Sequence, residues 1–273
     1  MSDLREQLWP LASVVAPIVA VEVDRERDII LLVSTTDQEI GRTLFVTGEF
    51  EAEVLSRACA VVTDLGRPLT DKRFVDIGAN VGSASILAIC RHQAADAIAF
   101  EPDQYTYQLL TANAALNNAD ILAIPTALGS TSGQVWLERH PTNGGAHRVT
   151  ADEPREDGVK VAMTTYDEAA RVHEIDADAV GLVWIDVEGH ELLVLLGAST
   201  LLARRVPLVL EFWPELIPDG ADALTELLCT AGYQNFYDLR SNTWLYPQRI
   251  RTLPALHKEI LSGGRVLTDI LVV

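Results

Sequence analysis

A glycine-rich turn follows a short apolar segment in the first third of the chain. Residues 74–82 read FVDIGANVG, which predicts a strand, a tight turn between Gly78 and Gly82, and a helix beyond it. Glycine lets the backbone turn sharply and approach a ligand closely. Such a turn at the carboxyl end of a strand is where doubly wound α/β sheets bind nucleotides, so a nucleoside is the expected ligand.

The spacing of the turn and the carboxylate after it refine this expectation. Gly78 and Gly82 form a Gly-x-x-x-Gly pattern, which differs from the Gly-x-Gly-x-x-Gly that binds a dinucleotide pyrophosphate and so disfavours a nicotinamide cofactor. Glu101 follows the next apolar segment, 19 residues beyond Gly82. From that position a carboxylate can accept both hydrogen bonds of an adenosine ribose. Asp76 is expected to orient the turn or the ammonium group of the ligand.

A second group of polar residues ends a later strand. Residues 184–191 read WIDVEGHE, and Asp186 and Glu188 should face the same crevice as the glycine turn. Asp186 or His190 is the expected base for an acceptor proton, because histidine titrates near neutrality and a neighbouring carboxylate can orient its ring. Two alternatives stay open: His190 begins the next helix at the surface, or Glu188 holds the turn at Gly189.

The same residues also suggest an alternative use, a metal site. Asp186, Glu188 and His190 could join Glu211 in an oxygen and nitrogen cluster suited to a divalent cation. Nothing in their spacing requires a cation, and no metal is predicted.

These residues lie in a chain whose apolar segments alternate with amphipathic ones from Arg73 onward, which indicates parallel strands joined by crossover helices. The pattern predicts a doubly wound, mostly parallel α/β sheet. The predicted strands are 74–77, 96–100, 120–125, 180–186, 207–213, 234–239 and 265–272, and the predicted helices are 83–93, 103–117, 190–203 and 221–231.

Two regions lie outside this alternation. Residues 1–62 are predicted to form an N-terminal extension, with short strands that include Leu44–Val46 and a helix over 49–62, which packs on a core domain of residues 63–273. Residues 129–158 are rich in Gly, Pro, Thr and charged residues and predict a long loop or hairpin, either a lid or a solvated loop. His147 in this insertion is a further candidate site residue.

Composition excludes several classes of partner. The net charge of −18 would repel a phosphate backbone, so no nucleic-acid partner is expected. The apolar stretch Leu8–Val23 is interrupted by Pro10 and Pro17, so it predicts neither a signal peptide nor a membrane span. The three cysteines are an odd number and far apart, which fits a cytoplasmic protein without a disulfide framework.

The motifs together resemble a known family, the FkbM-type methyltransferases. The resemblance covers roughly residues 40–213 and rests on the DIGANVG turn, Phe100-Glu101-Pro102, Thr164-Thr165-Tyr166-Asp167 and IDVEG followed by Glu191. It implies a class I methyltransferase fold, with a seven-stranded sheet whose last strand is antiparallel, and S-adenosylmethionine as the methyl donor. It also implies O-methylation of a small-molecule hydroxyl on a sugar, polyketide or other natural product.

The resemblance assigns roles to individual positions. Asp186 and Glu188 carry over as the second signature, whereas position 190 varies in such enzymes; with His190, which its own chemistry suggests, they are the catalytic candidates. The cofactor positions that it implies are Gly78, Asn80, Gly82, Glu101, Asp103, Ala127 and Leu128. The adjoining Asp76, Ala79, Ser83 and Pro102 complete the set of predicted cofactor residues.

Two other functions stay open at this stage. An oxidoreductase with a nucleotide cofactor would bind nicotinamide, which the glycine spacing disfavours. A catalytically silent domain of the same fold would have lost the glycines or Glu101, and this chain keeps both. Homo-oligomer formation is also left open.

Overall fold

A computed structural model describes residues 2–153, 157–213, 216, 220–245 and 267–273. The α-helices within these residues are α1 (Ser2–Val15), α2 (Ile40–Thr47), α3 (Ala52–Asp64), α4 (Ser83–His92), α5 (Gln104–Leu116), α6 (Tyr166–Val172), α7 (Glu191–Leu196), α8 (Ser199–Arg204) and α9 (Gly220–Thr230). The strands of the central sheet are β3 (Arg73–Ile77), β4 (Asp96–Phe100), β5 (Ile121–Ile124), β10 (Val180–Ile185), β11 (Leu208–Phe212), β12 (Phe236–Asp238), β13 (Thr243–Leu245) and β14 (Thr268–Val272). The other strands are β1 (Ile18–Asp24), β2 (Ile29–Ser34), β6 (Ala127–Leu128), β7 (Gly133–Glu138), β8 (Arg148–Thr150) and β9 (Gly158–Thr164).

The central sheet confirms the predicted fold class. Its strand order is β13-β12-β14-β11-β10-β3-β4-β5, and the five strands from β11 to β5 are parallel. β14 lies antiparallel between β11 and β12, as the family resemblance implied. One strand was not predicted: β13 pairs with β12 through a tight turn and extends the sheet to eight strands. Of the predicted last strand, residues 265–266 lie outside the described residues.

Both faces of the central strands are buried, which explains their nearly unbroken apolar sequence. On β10, Val183 and Ile185 face one side and pack in a cluster with α7 and α8, while Leu182 and Trp184 face the other and pack with α3 and α4. Side chains alternate along a strand, so successive residues supply two separate hydrophobic layers. The carboxyl ends of these strands are therefore held rigidly from both sides.

The N-terminal region contains one wrongly predicted element. Ile18–Asp24 and Ile29–Ser34 form the expected antiparallel hairpin, but Leu44–Val46 lies in helix α2 rather than in a strand. Asp37 Oδ1 accepts hydrogen bonds from the first amides of this helix, those of Glu39 and Ile40, both at 2.9 Å. The cap favours a helix over this short apolar run.

The insertion at 129–158 is more ordered than the predicted loop or hairpin. Strands β6, β9, β7 and β8 form a second sheet in that order, with residues 144–146 as a short 3₁₀ turn. Residues 154–156 lie outside the described residues. The predicted helix 190–203 is also divided into α7 and α8, because Asp167 accepts the amide and hydroxyl hydrogens of Ser199 and Thr200 and so caps a new helix.

None of the helices in the described part of the chain combines the length and apolar character that a bilayer crossing requires.

Candidate active site

A cavity of about 830 Å³ opens at the carboxyl ends of β3, β4 and β10. Most of the predicted site residues line it, whereas Gly82, Asp103 and Glu188 do not. The predicted residues in its wall are Asp76, Gly78, Ala79, Asn80, Ser83, Glu101, Pro102, Ala127, Leu128, Asp186 and His190.

The glycine turn forms the floor of this cavity. Gly78 has a φ of +86°, a conformation that a side chain rarely adopts, and a Cβ atom added there would lie 1.9 Å from the backbone oxygen of Asp186. The amides of Gly78 and Ala79 both donate to the Phe100 carbonyl at 3.0 Å. Only glycine lets β3 turn this close to the end of β10, so the turn joins the three strand ends that surround the cavity.

Glu101 is held in a single orientation at the cavity wall. Its Oε2 accepts a hydrogen bond from the Asn80 amide at 2.9 Å, and its Oε1 accepts one from the Asp103 amide at 2.7 Å. Burial raises the pKa of Glu101 to about 8, and the nearby charges of Asp103 and Asp76 act in the same direction. A carboxylate has about four acceptor positions, so each oxygen retains capacity for one more donor. The group is thus suited to two adjacent hydroxyls.

Two other predicted residues support the turn rather than enclose the cavity. Asp103 caps α5 by accepting the amides of Tyr105 and Thr106, and its Oδ2 lies 2.6 Å from Nε of Arg139. Gly82 precedes α4, and a Cβ there would lie 2.4 Å from Leu110 Cδ1. Both positions therefore serve the packing of the helices next to the site.

Asp76 lines the cavity and also fixes the helix behind it. Its Oδ2 accepts hydrogen bonds from the Ser85 amide at 3.2 Å and hydroxyl at 2.5 Å. Burial raises the pKa of Asp76 to about 6, although the two hydrogen bonds oppose this shift. Both of these contacts reach α4 rather than the turn, so they bear directly on neither of the two predicted roles, which stay predictions.

Three carboxylates meet where β10 and β11 end. Asp186 follows β10, Glu188 lies in the next turn, and Glu211 lies in β11; one carboxylate oxygen of each is within 4.8 Å of the others. Burial raises the pKa of Asp186 well above its usual value, and the charges of Glu211 and Glu188 raise it further. Burial and the charge of Glu188 likewise raise the pKa of Glu211 to about 9.

His190 stands at the first position before α7 and lines the cavity, so it does not lie at an open surface. Its Nε2 is buried and has no hydrogen-bond partner among the described residues. Burial lowers the pKa of His190, which keeps the ring neutral near pH 7 and able to accept a proton. No hydrogen bond joins it to Asp186 in the described part of the chain, so the suggested orienting contact is not observed.

Residues outside the predicted motifs complete the wall. Ile40, Phe50 and Glu51 reach the cavity from the N-terminal region, and His147 reaches it from the insertion, close to the turn at Gly144. Burial raises the pKa of Glu51 well above its usual value, and the charge of Asp186 adds to this. The sequence contains no signal for Glu51, because a glutamate at the start of a helix is typically exposed.

Comparison with known proteins identifies the family. Residues 76–234 match the family described as the methyltransferase FkbM domain. The chain belongs to this family. A similar relative is the hexuronic acid methyltransferase AglP of Haloferax volcanii, 32% identical over 46% of this chain and 50% of that protein, so the chain spans about half the length of this relative. The methyltransferase sdnD of Sordaria araneosa is 30% identical over 56% of this chain and 71% of that protein.

Solved structures were also compared with the chain. The methyltransferase FkbM of Methylobacillus flagellatus KT has a TM-score of 0.46 at 16% identity, and the match covers 74% of this chain and 44% of that chain. TYW2 of M. jannaschii, solved in complex with AdoMet, has a TM-score of 0.43 at 10% identity over 94% of this chain and 84% of that chain.

Proposed function

We propose that this chain is an S-adenosylmethionine-dependent methyltransferase that methylates a hydroxyl group of a small molecule, such as a sugar, a polyketide or another natural product. The observation that carries the proposal is the orientation of Glu101. Two backbone amides hold its carboxylate beside a glycine turn, with one free acceptor position on each oxygen. These two acceptor positions fit the two ribose hydroxyls of an adenosine group, and membership of the FkbM family supports methyl transfer as the reaction.

The residues divide into those that hold the cofactor and those that meet the acceptor. When bound, S-adenosylmethionine supplies a methyl group that moves from its sulfonium sulfur to the acceptor oxygen, while the bonding electron pair stays on sulfur and the hydroxyl proton is lost. Glu101 would bind the ribose, and the apolar surface of Ala127 and Leu128 would contact the adenine. The turn at Gly78 keeps the backbone close enough for the nucleoside to lie along it.

A proton acceptor is available on the opposite wall. His190 is neutral near pH 7 because burial lowers its pKa, and Asp186 lines the same cavity. Either group can take the hydroxyl proton if the acceptor lies within hydrogen-bond distance of it. Ile40 and Phe50 supply apolar surface that excludes water from the reacting atoms.

The expected acceptor is oxygen-rich and small. AglP is named for methylation of a hexuronic acid, so sugar hydroxyls are the first class to test. The net charge of −18 argues against nucleic acid as the acceptor. The three free cysteines are in keeping with a reducing compartment, and we place the reaction in the cytoplasm.

The decisive experiment is calorimetric titration with S-adenosylhomocysteine, with NADH as the control ligand. We expect one binding site for S-adenosylhomocysteine and none for NADH. Glu101→Ala should weaken binding, whereas Glu153→Gln, which changes an exposed carboxylate outside the cavity, should not. Absence of S-adenosylhomocysteine binding by the wild-type chain, or equal affinity in Glu101→Ala, would refute the proposal. A positive result leads to an acceptor screen in which S-adenosylhomocysteine release is measured.

A further inference from the structure

Asp186, Glu188 and Glu211 form a carboxylate cluster. Removal of one hydroxyl proton requires only one base, so the cluster contains more carboxyl groups than that step needs. One oxygen of each side chain lies within 4.8 Å of the other two. Three points within that distance of one another lie at most about 2.8 Å from a common centre, whereas oxygen ligands lie about 2.0 to 2.1 Å from Mg²⁺ and about 2.3 to 2.6 Å from Ca²⁺. The three oxygens are therefore already close enough to bind one ion after small side-chain rotations.

The surroundings of the cluster lack compensating donors. Oε2 of Glu211 and Oε2 of Glu191 are both buried and have no hydrogen-bond partner among the described residues. Glu191 is only 1% exposed, and its other oxygen accepts the amides of Val187 and Gly189 on either side of Glu188. Its charge acts on Asp186 and on Glu211. A buried carboxylate without a partner is costly, which points to a cation that the described residues do not supply.

Basic side chains of the described residues do not fill this role. Two arginines exert charge on the cluster, Arg148 on Glu188 and Arg240 on Glu211. Arg148 Nε lies 2.7 Å from Glu138 Oε2, and Arg240 Nε lies 2.6 Å from Asp269 Oδ2. Each arginine is therefore paired with a carboxylate outside the cluster. Among the described residues, the cluster is therefore left without a basic side chain that pairs with it directly.

The cluster lies between the cavity and a neighbouring groove that is open to solvent. Asp186 lines the cofactor cavity, Glu188 lines a neighbouring groove of about 1000 Å³, and His190 lines both. A ligand that entered through the groove would meet the cluster immediately before it reached the cavity. This is the path that an acceptor would take if the cofactor lies on the glycine turn.

We propose that Asp186, Glu188 and Glu211 bind one hard divalent cation, Mg²⁺ or Mn²⁺, which takes two neighbouring oxygens of the methyl acceptor. An all-oxygen carboxylate set selects such ions, and three protein ligands leave about half of an octahedral shell for the acceptor and water. The substrate class is a compound with two adjacent oxygens, such as a vicinal diol or an α-hydroxy acid. The role of the acceptor rests on the proposed methyltransferase function; the binding of the ion does not.

The test is titration of the EDTA-treated, dialysed chain with MnCl₂, followed by calorimetry and by the electron paramagnetic resonance signal of free Mn²⁺. We expect one ion per chain, with competition by MgCl₂. Glu188→Gln and Glu211→Gln should each weaken Mn²⁺ binding at least about tenfold, because each removes one of three charged ligands. The matched control Glu153→Gln, at the rim of the same groove, should bind Mn²⁺ as the wild type does.

Binding of S-adenosylhomocysteine to every variant is measured in parallel. Unchanged affinity shows that the cavity is intact in Glu188→Gln and Glu211→Gln. Mn²⁺ binding that is absent at millimolar concentration, or that is equal in wild type and Glu211→Gln, overturns the metal site. The wild-type chain could instead bind ethanolamine and not Mn²⁺, with ethanolamine binding lost in Glu211→Gln. That result would assign an organic amine to the cluster and would also overturn the metal site.

The two proposals fail in distinguishable ways. Normal S-adenosylhomocysteine binding without Mn²⁺ binding overturns the metal site and leaves the methyltransferase proposal in place. Mn²⁺ binding without S-adenosylhomocysteine binding supports the ion site alone and overturns the methyltransferase proposal.

Discussion

The affinity of the cavity for a nucleoside should depend on pH through Glu101. Burial raises the pKa of this carboxyl group to about 8, so about one tenth of the molecules carry the charge at pH 7. A raised pKa means that the group is neutral below pH 8 and loses its proton as the pH rises. If the ribose binds to the ionised form, affinity should increase about tenfold from pH 6 to 7 and about fivefold from pH 7 to 8, and become nearly constant above pH 9.

The assay is calorimetry with 5′-methylthioadenosine between pH 6 and pH 9. This ligand carries the ribose but no amino acid portion, so its own titration does not contribute over that range. Glu101→Gln should give a flat profile, because it removes the ionisable group. At pH 9 it should also bind more weakly than wild type by about 2 to 3 kcal/mol, or roughly 30- to 150-fold, through the loss of hydrogen bonds to a charged acceptor.

The result that would refute this reasoning is a wild-type profile that is flat, or one that persists unchanged in Glu101→Gln. A dependence that is centred near pH 6 and survives the substitution would instead identify Asp76, whose pKa burial raises to about 6. Glu153→Gln serves as the matched control and should reproduce the wild-type profile.

Three further predictions concern the turn, the N-terminal region and the acceptor side. Gly78→Ala should lower the free energy of unfolding in urea by more than about 3 kcal/mol, because the added Cβ would lie 1.9 Å from the Asp186 backbone oxygen. Gly66→Ala is the matched control, since Gly66 has a φ of +73° but no atom within 4 Å of an added Cβ. It should lower the free energy of unfolding by only about 1 kcal/mol. Asn113→Ala should cost about 3 kcal/mol by the same measurement, because its buried amide bonds both backbone groups of Leu32 and the Val81 carbonyl. Asp186→Asn should leave S-adenosylhomocysteine affinity within about threefold and reduce turnover at least about 100-fold with an acceptor found by the screen.

Each of these predictions has a contrary outcome. Equal stability losses in Gly78→Ala and Gly66→Ala would mean that β3 and β10 separate easily, contrary to the close contact described above. An Asn113→Ala variant within about 0.5 kcal/mol of wild type would show that the N-terminal hairpin is not held to α5 by this side chain. Full turnover in Asp186→Asn would leave His190 as the base.

Structural features that are set by residues adjacent in the sequence could be predicted from the sequence. The strand, turn and helix around Gly78 form one continuous segment, and the alternation of apolar and amphipathic segments predicts the parallel sheet. The family was indicated by the resemblance of the motifs around Gly78, Glu101 and Asp186, and the family match confirms it. The position of Glu101 follows from the same logic, because it ends the next strand, which lies directly beside β3. Local backbone preferences and hydrophobic periodicity were sufficient for these features.

Local pattern was insufficient where two conformations had similar preference. The apolar run Leu44–Val46 is too short to distinguish a strand from a helix, and the cap from Asp37 that decides the matter lies outside the run. In the insertion, β7 became a strand because it pairs with β9, whose partner residues lie 20 to 30 positions further along the chain.

The sequence by itself determined the fold class, the family and the two motifs at the strand ends. Only the tertiary structure decided that Glu51 enters the cavity wall and that Glu211 joins Asp186 and Glu188 in one cluster. The physical reason is that the pairing of β10 with β11 places side chains together that are 25 positions apart. The burial of both faces of these strands compensates for the cost of bringing like charges together, and that balance cannot be read from any one segment.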